Sequence, residues 1–276
     1  MADGDIRDVL ERIADALDRL SPPDKPDADL AEGNAWYWDG RNIRAIPDFA
    51  PLNLDLLTGI DDQKSRLMEN SQRLADGFAA HDILLWGSRG MGKSALVKSA
   101  VGALRADGTD LALIEASADR LDSLPELFHR LSGIDRSFVL FIDDIGFDGD
   151  ESAPRLLRSL LEGGASERPA NVRLYVTANR RHIVPRHMSE QDDPVHPRDI
   201  LDDKLALSDR FGIRLGFHAA SPDEYLAMVT RYAQVHDLEF DKADAMQWAR
   251  HRGNQSGRIA WQYIVELAGR AGKSLT

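Results

Sequence analysis

Apolar residues at Ile6, Val9, Leu10, Ile13, Leu17 and Leu20 recur at helical spacing, with acidic and arginine residues opposite. They predict one amphipathic helix over residues 1–20. Ser21-Pro22-Pro23 stops it, and the polar, proline-bearing residues 21–34 read as a linker that leaves the helix free to move. Trp36-Tyr37-Trp38 and Ile43-Arg44-Ala45-Ile46 flank Asp39-Gly40, which predicts a β-hairpin whose aromatics pack rather than bind. From Ile60 the pattern alternates. Helical spacing through Lys64, Leu67 and Leu74 leads to the apolar run Ile83–Trp86, a glycine-rich turn, and a helix bearing Leu96, Val97, Ala100, Val101 and Leu104. Further strand-like runs lie at Leu111–Ile114, Phe138–Ile142, Val172–Thr177 and Ile213–Phe217, with helical patterns at Leu121–Leu131 and Pro154–Leu161 between them. Buried strands separated by helices predict an α/β fold, a parallel sheet flanked by helices, over residues 35–218. Pro222–His236, Lys242–His251 and Ile259–Ala271 then read as three helices, an all-helical lid over 219–276. Residues 180–203 have no period and three prolines, the pattern of a functional or disordered loop.

Composition narrows the function. No run of about 18 apolar residues suggests a membrane span, and MADGDIRDVL lacks the basic flank and apolar stretch of a secretion signal, so the expected location is the cytoplasm. There is no cysteine, which excludes disulfide scaffolds, thiolate zinc sites and cysteine nucleophiles. With 34 Lys and Arg against 46 Asp and Glu, the net charge is −12. That disfavours a surface built to coat nucleic acid, whose affinity comes mostly from phosphate contacts.

The most specific motif is Gly87-Ser88-Arg89-Gly90-Met91-Gly92-Lys93-Ser94, a full match to G-x-x-x-x-G-K-[ST] between a predicted strand and a predicted helix. Glycines let backbone N–H groups turn inward around phosphate oxygens, and the helix directs its positive N-terminal end, beginning with Lys93, Ser94 and Ala95, at the same anion. Lys93 is expected on the β- and γ-phosphates and the Ser94 hydroxyl on Mg²⁺. The run Phe138-Val139-Leu140-Phe141-Ile142-Asp143-Asp144 ends an apolar strand in two acids. Asp143 is placed to hold the metal through water and Asp144 to orient or deprotonate the attacking water, with Glu162 as a possible helper. Asn179 ends the strand run Leu174–Asn179 beside the second acid, where it can hold that water; an Asn there is also a common turn former. Arg210, in Leu207-Ser208-Asp209-Arg210-Phe211-Gly212, is either an arginine finger for a neighbouring subunit or a surface ion-pair partner. Arg258, in Gln255-Ser256-Gly257-Arg258, is either a lid residue that folds over the phosphates or an ordinary first-turn arginine. His182, His187 and His196 match no zinc spacing and read as solvated.

In this order, GSRGMGKS, FVLFIDD, YVTAN, LSDRFG and SGR with a trailing helical lid resemble an AAA+ ATPase. The similarity is greatest to a bacterial family of small AAA+ ATPases of unknown function and covers roughly residues 35–271; LSDRFG also resembles the finger motif of replication initiators and helicase loaders. The resemblance implies that Lys93 and Ser94 are Walker A, Asp143 and Asp144 Walker B, Asn179 sensor 1, Arg210 the finger and Arg258 sensor 2. It also implies that Leu57, Thr58, Gly59 and Ile60 line the adenine pocket. Asp144 departs from the wider pattern, where Glu is common, and is shorter by one methylene. The implied function is Mg²⁺-dependent ATP binding and hydrolysis, coupled to homo-oligomer assembly and to remodelling of an unknown protein partner. A nucleotide-gated loader or adaptor acting on DNA-associated proteins, with little turnover, is the alternative. A small-molecule P-loop kinase fits poorly, since it needs neither the sensor residues nor the lid.

Overall fold

A computed structural model of the chain describes residues 27–146, 152–163, 168–179 and 207–275, with Arg12, Ile13 and Ala16 as isolated helical positions. The expected N-terminal helix, the first part of the linker and the 180–203 loop otherwise lie outside the described residues. The strands are β1 (Ala35–Trp38), β2 (Ile43–Ala45), β3 (Ile83–Gly87), β4 (Leu111–Ala116), β5 (Ser137–Ile145), β6 (Val172–Asn179) and β7 (Ile213–Phe217). The helices among the described segments are α1 (Asp61–Ala75), α2 (Lys93–Ala106), α3 (Leu124–Leu131), α4 (Ser152–Glu162), α5 (Pro222–Val235), α6 (Lys242–His251) and α7 (Gly257–Arg270).

One seven-stranded sheet runs β2-β1-β4-β5-β6-β3-β7. Every neighbouring pair is parallel except β1 with β2, which form the expected hairpin. Covering helices explain the unbroken apolar runs: along β5, Val139 and Phe141 join one core, while Phe138, Leu140 and Ile142 join the other. A strand buried on both faces needs no alternation.

The hairpin extends the sheet as well as plugging it, because β1 pairs in parallel with β4. Trp36 and Trp38 are fully buried, Trp38 Nε1 donates to Ser123 Oγ at 2.8 Å, and the Arg136 and Arg130 guanidinium groups each lie 5.2 Å from one of the two indoles. Trp36 and Trp38 thus supply the expected packing, whereas Tyr37 faces outward because alternate strand residues leave opposite faces. Just before it, Asp27 accepts from Ile43 N and from Arg130, and Arg136 donates to the carbonyls of Leu30 and Gly33, so the described end of the linker is fastened to the core.

Two details differ from the pattern reading. Leu121–Leu131 is a 3-10 turn, Ala118–Ser123, followed by α3; Arg120 leaves helical geometry and Pro125 in the first turn of α3 has no N–H to continue a ladder. And β5 runs on through both acids to Ile145, with a register shift against β6 between Ile142 and Ile145.

After β7, α5, α6 and α7 pack on one another through rings: Tyr232 on Trp261 at 5.4 Å and Tyr263 against Phe240 and Trp248. Each begins at a side-chain cap, Ser221, Asp241 and Ser256 respectively, which satisfies an otherwise orphaned amide. Among the described residues no helix is long and apolar enough to cross a membrane.

Candidate functional site

The glycine-rich loop leaves the end of β3 between β6 and β7. A Cβ at Gly87 would lie 2.0 Å from the Phe217 carbonyl oxygen, which instead accepts from Ser88 N at 2.7 Å. Only glycine fits there. Gly90, at φ +75, sits against the start of α7: its carbonyl accepts from Arg258 N at 3.1 Å, and a Cβ would come within 2.9 Å of Ser256 Oγ. Lys93 opens α2 almost wholly buried, with Nζ donating to the carbonyls of Gly87 at 3.1 Å and Ser88 at 2.8 Å. Burial pushes the Lys93 pKa down; Asp144 and Asp143 oppose that shift, while Arg89 and Arg258 reinforce it.

The acids arrive from β5. Consecutive side chains of a regular strand leave opposite faces. Here both carboxylates line one cleft, because Asp144 takes a left-handed backbone, φ +52, within the bulge. Asp143 Oδ1 accepts from Ser94 Oγ at 2.7 Å and from Thr177 Oγ1 at 2.5 Å. Asp144 accepts from the Asn179 amide through a short contact, and Arg89 stands 3.8 Å from its other oxygen. Asn179 ends β6, paired in register with Gly87 at the end of β3, and so reaches the acid from the adjacent strand.

These groups surround a cleft of about 670 Å³ between the sheet's carboxyl edge and the C-terminal helices. Its polar end is formed by residues 89–95 with Asp143, Asp144, Thr177, Asn179 and Arg258. Its apolar end is formed by Leu52, Leu56, Leu57, Ile60, Met228 and Trp261, with Thr58 and Tyr232 beside them. A cation-lined polar end next to an apolar end has the shape and chemistry to take a nucleotide. Among the described residues no three His, Cys, Asp or Glu side chains converge on one point. The hard-oxygen pair Ser94 and Asp143 is therefore a partial shell, which fits Mg²⁺ brought in with phosphates and water.

Of the residues singled out in the sequence, Arg89, Gly90, Met91, Gly92, Lys93, Ser94, Ala95, Leu57, Ile60, Asp143, Asp144, Asn179 and Arg258 all line this cleft. Gly87 and Ser88 shape it from behind, through their carbonyls on Lys93. Gly59 does not line it; it supplies a positive-φ turn, +77, between Thr58 and Ile60. Arg210 does not line it either. Its guanidinium pairs with Glu162 at the end of α4, which also removes Glu162 from the cleft wall. Sequence reading passed over Thr177 and, at the apolar end, Met228, Tyr232 and Trp261. The latter three sit at ordinary helical spacing, which is indistinguishable from core until the helices fold against the loop.

The sheet order, the glycine loop between β3 and α2, the acid-tipped β5 and the three C-terminal helices are those of an AAA+ fold. The chain belongs to the family described as "Protein of unknown function (DUF815)", which matches residues 31–271. In structure it is similar to the Thermotoga maritima RuvB Holliday junction branch migration motor, at 21% identity and TM-score 0.51, over 82% of this chain and 68% of that one. Two single-residue variants of that RuvB give TM-scores of 0.52 and 0.53 at 21% identity and the same coverage. At such identity the likeness is one of fold. No curated protein matches the chain.

Proposed function

We infer that this protein is a Mg²⁺-dependent ATPase that couples its nucleotide state to self-assembly and to remodelling of a protein partner. The observation that carries this reading is the convergence on one cleft of a buried Lys93, the Ser94–Asp143 hydrogen bond, and Asp144 held by Asn179. In this reading Lys93 and the loop amides hold the β- and γ-phosphates. Ser94 and Asp143 hold the metal, whose bound charge stabilises the transferring phosphoryl group. Asp144 orients and deprotonates the attacking water, and Asn179 keeps that carboxylate aimed. Arg258 closes over the phosphates from α7, and the base lies at the apolar end. Arg210 acts on a neighbour's site after exchanging Glu162 for the γ-phosphate.

The RuvB to which the fold is similar is a DNA motor by its description, but a net charge of −12 supports a protein partner over a nucleic-acid track. A cytoplasmic setting belongs to the same reading. A second reading, a nucleotide-gated adaptor with little turnover, draws on Asp144, whose two oxygens each face a partner, Asn179 and Arg89.

The test is ATP binding and phosphate release by the full chain, the Lys93→Ala variant and the Asp144→Asn variant. The reading expects binding lost in the first, and binding kept with turnover lost in the second. Unchanged affinity and turnover in Lys93→Ala would overturn the site. Tight binding without turnover in the unaltered protein would select the adaptor. A trapped Asp144→Asn protein that enriches no partner on pull-down would remove the remodelling part.

A further inference from the structure

We propose that Thr177 is the positioning residue of this site: its hydroxyl sets both acids, orienting Asp143 for the metal and holding the backbone turn that aims Asp144. This rests on the nucleotide-site reading above and adds to it a residue that the AAA+ motifs do not single out.

The argument begins with the bulge. Ile142 pairs with Val176 and Ile145 with Ala178, so Asp143 and Asp144 on β5 face the single residue Thr177 on β6. Two residues against one leave a ladder amide without its carbonyl. That amide is Asp144 N, and Thr177 Oγ1 accepts from it at 2.7 Å. With its oxygen so engaged, the Thr177 hydroxyl proton is directed to Asp143 Oδ1 at 2.5 Å. The result is a relay from Asp144 N–H through the hydroxyl to Asp143, at a side chain only 1% exposed. A buried amide without a partner is costly, and so is a buried hydroxyl; here each satisfies the other.

The relay has a consequence for the metal. Ser94 and Thr177 both donate to Oδ1, and among the described residues Asp143 Oδ2 takes no hydrogen bond. In this proposal Oδ2 is thus the Asp143 oxygen left for the metal. Ser94 keeps its lone pairs for the metal while its hydroxyl proton points at Asp143 Oδ1. Groups that orient a ligand of a metal without touching it tune affinity by roughly 10- to 100-fold.

The experiment compares unaltered protein, Thr177→Val and Thr177→Ser in two titrations: fluorescent ATP analogue binding with excess chelator, and the same binding against rising Mg²⁺. Thermal melts run alongside. Thr177→Val keeps the volume and loses both hydrogen bonds. It is expected to hold nucleotide within about twofold in chelator and to need roughly 10- to 100-fold more Mg²⁺ for the metal-dependent gain. Thr177→Ser should restore most of that gain. In an Asp143→Asn background the Thr177→Val change should add nothing to the Mg²⁺ requirement. Should Thr177→Val fail to melt cooperatively, Thr177→Cys, a weak donor of similar shape, is read the same way with an intermediate loss expected.

A folded Thr177→Val protein with an unaltered Mg²⁺ requirement would overturn the proposal, as would an equal loss in chelator and in Mg²⁺. An unaltered protein that binds no nucleotide, or binds it without regard to Mg²⁺, would instead overturn the reading of the site itself. The two failures are thus separable.

Discussion

The carbonyl of Gly90 accepts a hydrogen bond from the backbone N–H of Arg258 at 3.1 Å, joining the glycine-rich loop to the first turn of α7. The glycine-rich loop and the C-terminal helices are therefore in contact at the polar end of the cleft. A helix whose first turn is seated on the loop can transmit a change in the loop to the whole C-terminal bundle.

That contact makes Gly90 sensitive. A side chain there would need a left-handed backbone, φ +75, and would press on Ser256 Oγ at 2.9 Å, the cap of α7. Gly90→Ala should lower stability by about 1–3 kcal/mol and displace Arg258. Thermal unfolding and nucleotide titration check this; a variant that melts like the unaltered protein would show that loop and lid are not coupled.

In the proposed reading Lys93 is the charge that holds the polyphosphate, so Lys93→Met is expected to weaken ATP binding by about 3 kcal/mol, roughly a hundredfold. Calorimetric titration reads the loss directly. Stability in the absence of nucleotide should not fall in step, since the charge is held there against its burial.

Burial lowers the Lys93 pKa in the folded chain, and the sign of the pH effect follows. Below the folded-state value both folded and unfolded chains carry the charge, and the folded one bears the desolvation cost in full. As pH climbs from that value toward the ordinary lysine value, the folded chain releases its proton first and this cost is relieved, so the Lys93 contribution to stability rises. Nucleotide affinity moves the opposite way over the same window, because phosphates require the charged amine. Dissociation constants measured as the pH rises toward the ordinary lysine value should worsen in the unaltered protein and stay flat in Lys93→Met.

Arg210 pairs with Glu162 at a largely accessible position, side chains 30% and 51% exposed. Such a pair contributes little to stability, about 0–1 kcal/mol, so Arg210→Ala should melt close to the unaltered protein. If Arg210 serves a neighbour's site, Arg210→Ala alone is inactive, yet mixing it with Asp144→Asn restores turnover, because one protomer keeps the acid and the other the arginine. Mixed samples that stay inactive while each protein still assembles would remove the finger role.

Much of this molecule is readable in its sequence. Ile83–Trp86 is a strand as a short, continuous apolar run, and Ile213–Phe217 as a short run in which Ile213, Leu215 and Phe217 alternate with Arg214 and Gly216. Lys242–His251 is a helix within the same bounds that its spacing marks. Local rules sufficed for these, as they did for the glycine loop, whose spacing alone names Lys93 and Ser94. The partners that those residues meet were not readable: Ser94 and Asp143 are 49 positions apart, and Asp144 meets Asn179 across 35.

What the sequence by itself determined is the set of elements and the chemistry each carries: alternating strands and helices, a phosphate loop, an acid-tipped strand and three closing helices. Tertiary structure alone decided that β3 runs between β6 and β7, which sets Gly87 against Phe217, and that β1 joins the sheet beside β4. It also decided that Thr177 stands opposite two acids at a bulge, that Tyr232 and Trp261 line the cleft as well as the core, and that Arg210 turns to Glu162. The reason is physical. Periodicity and propensity act within a few residues along the chain, whereas strand order, register and the direction of a buried side chain depend on which distant surfaces exclude water together.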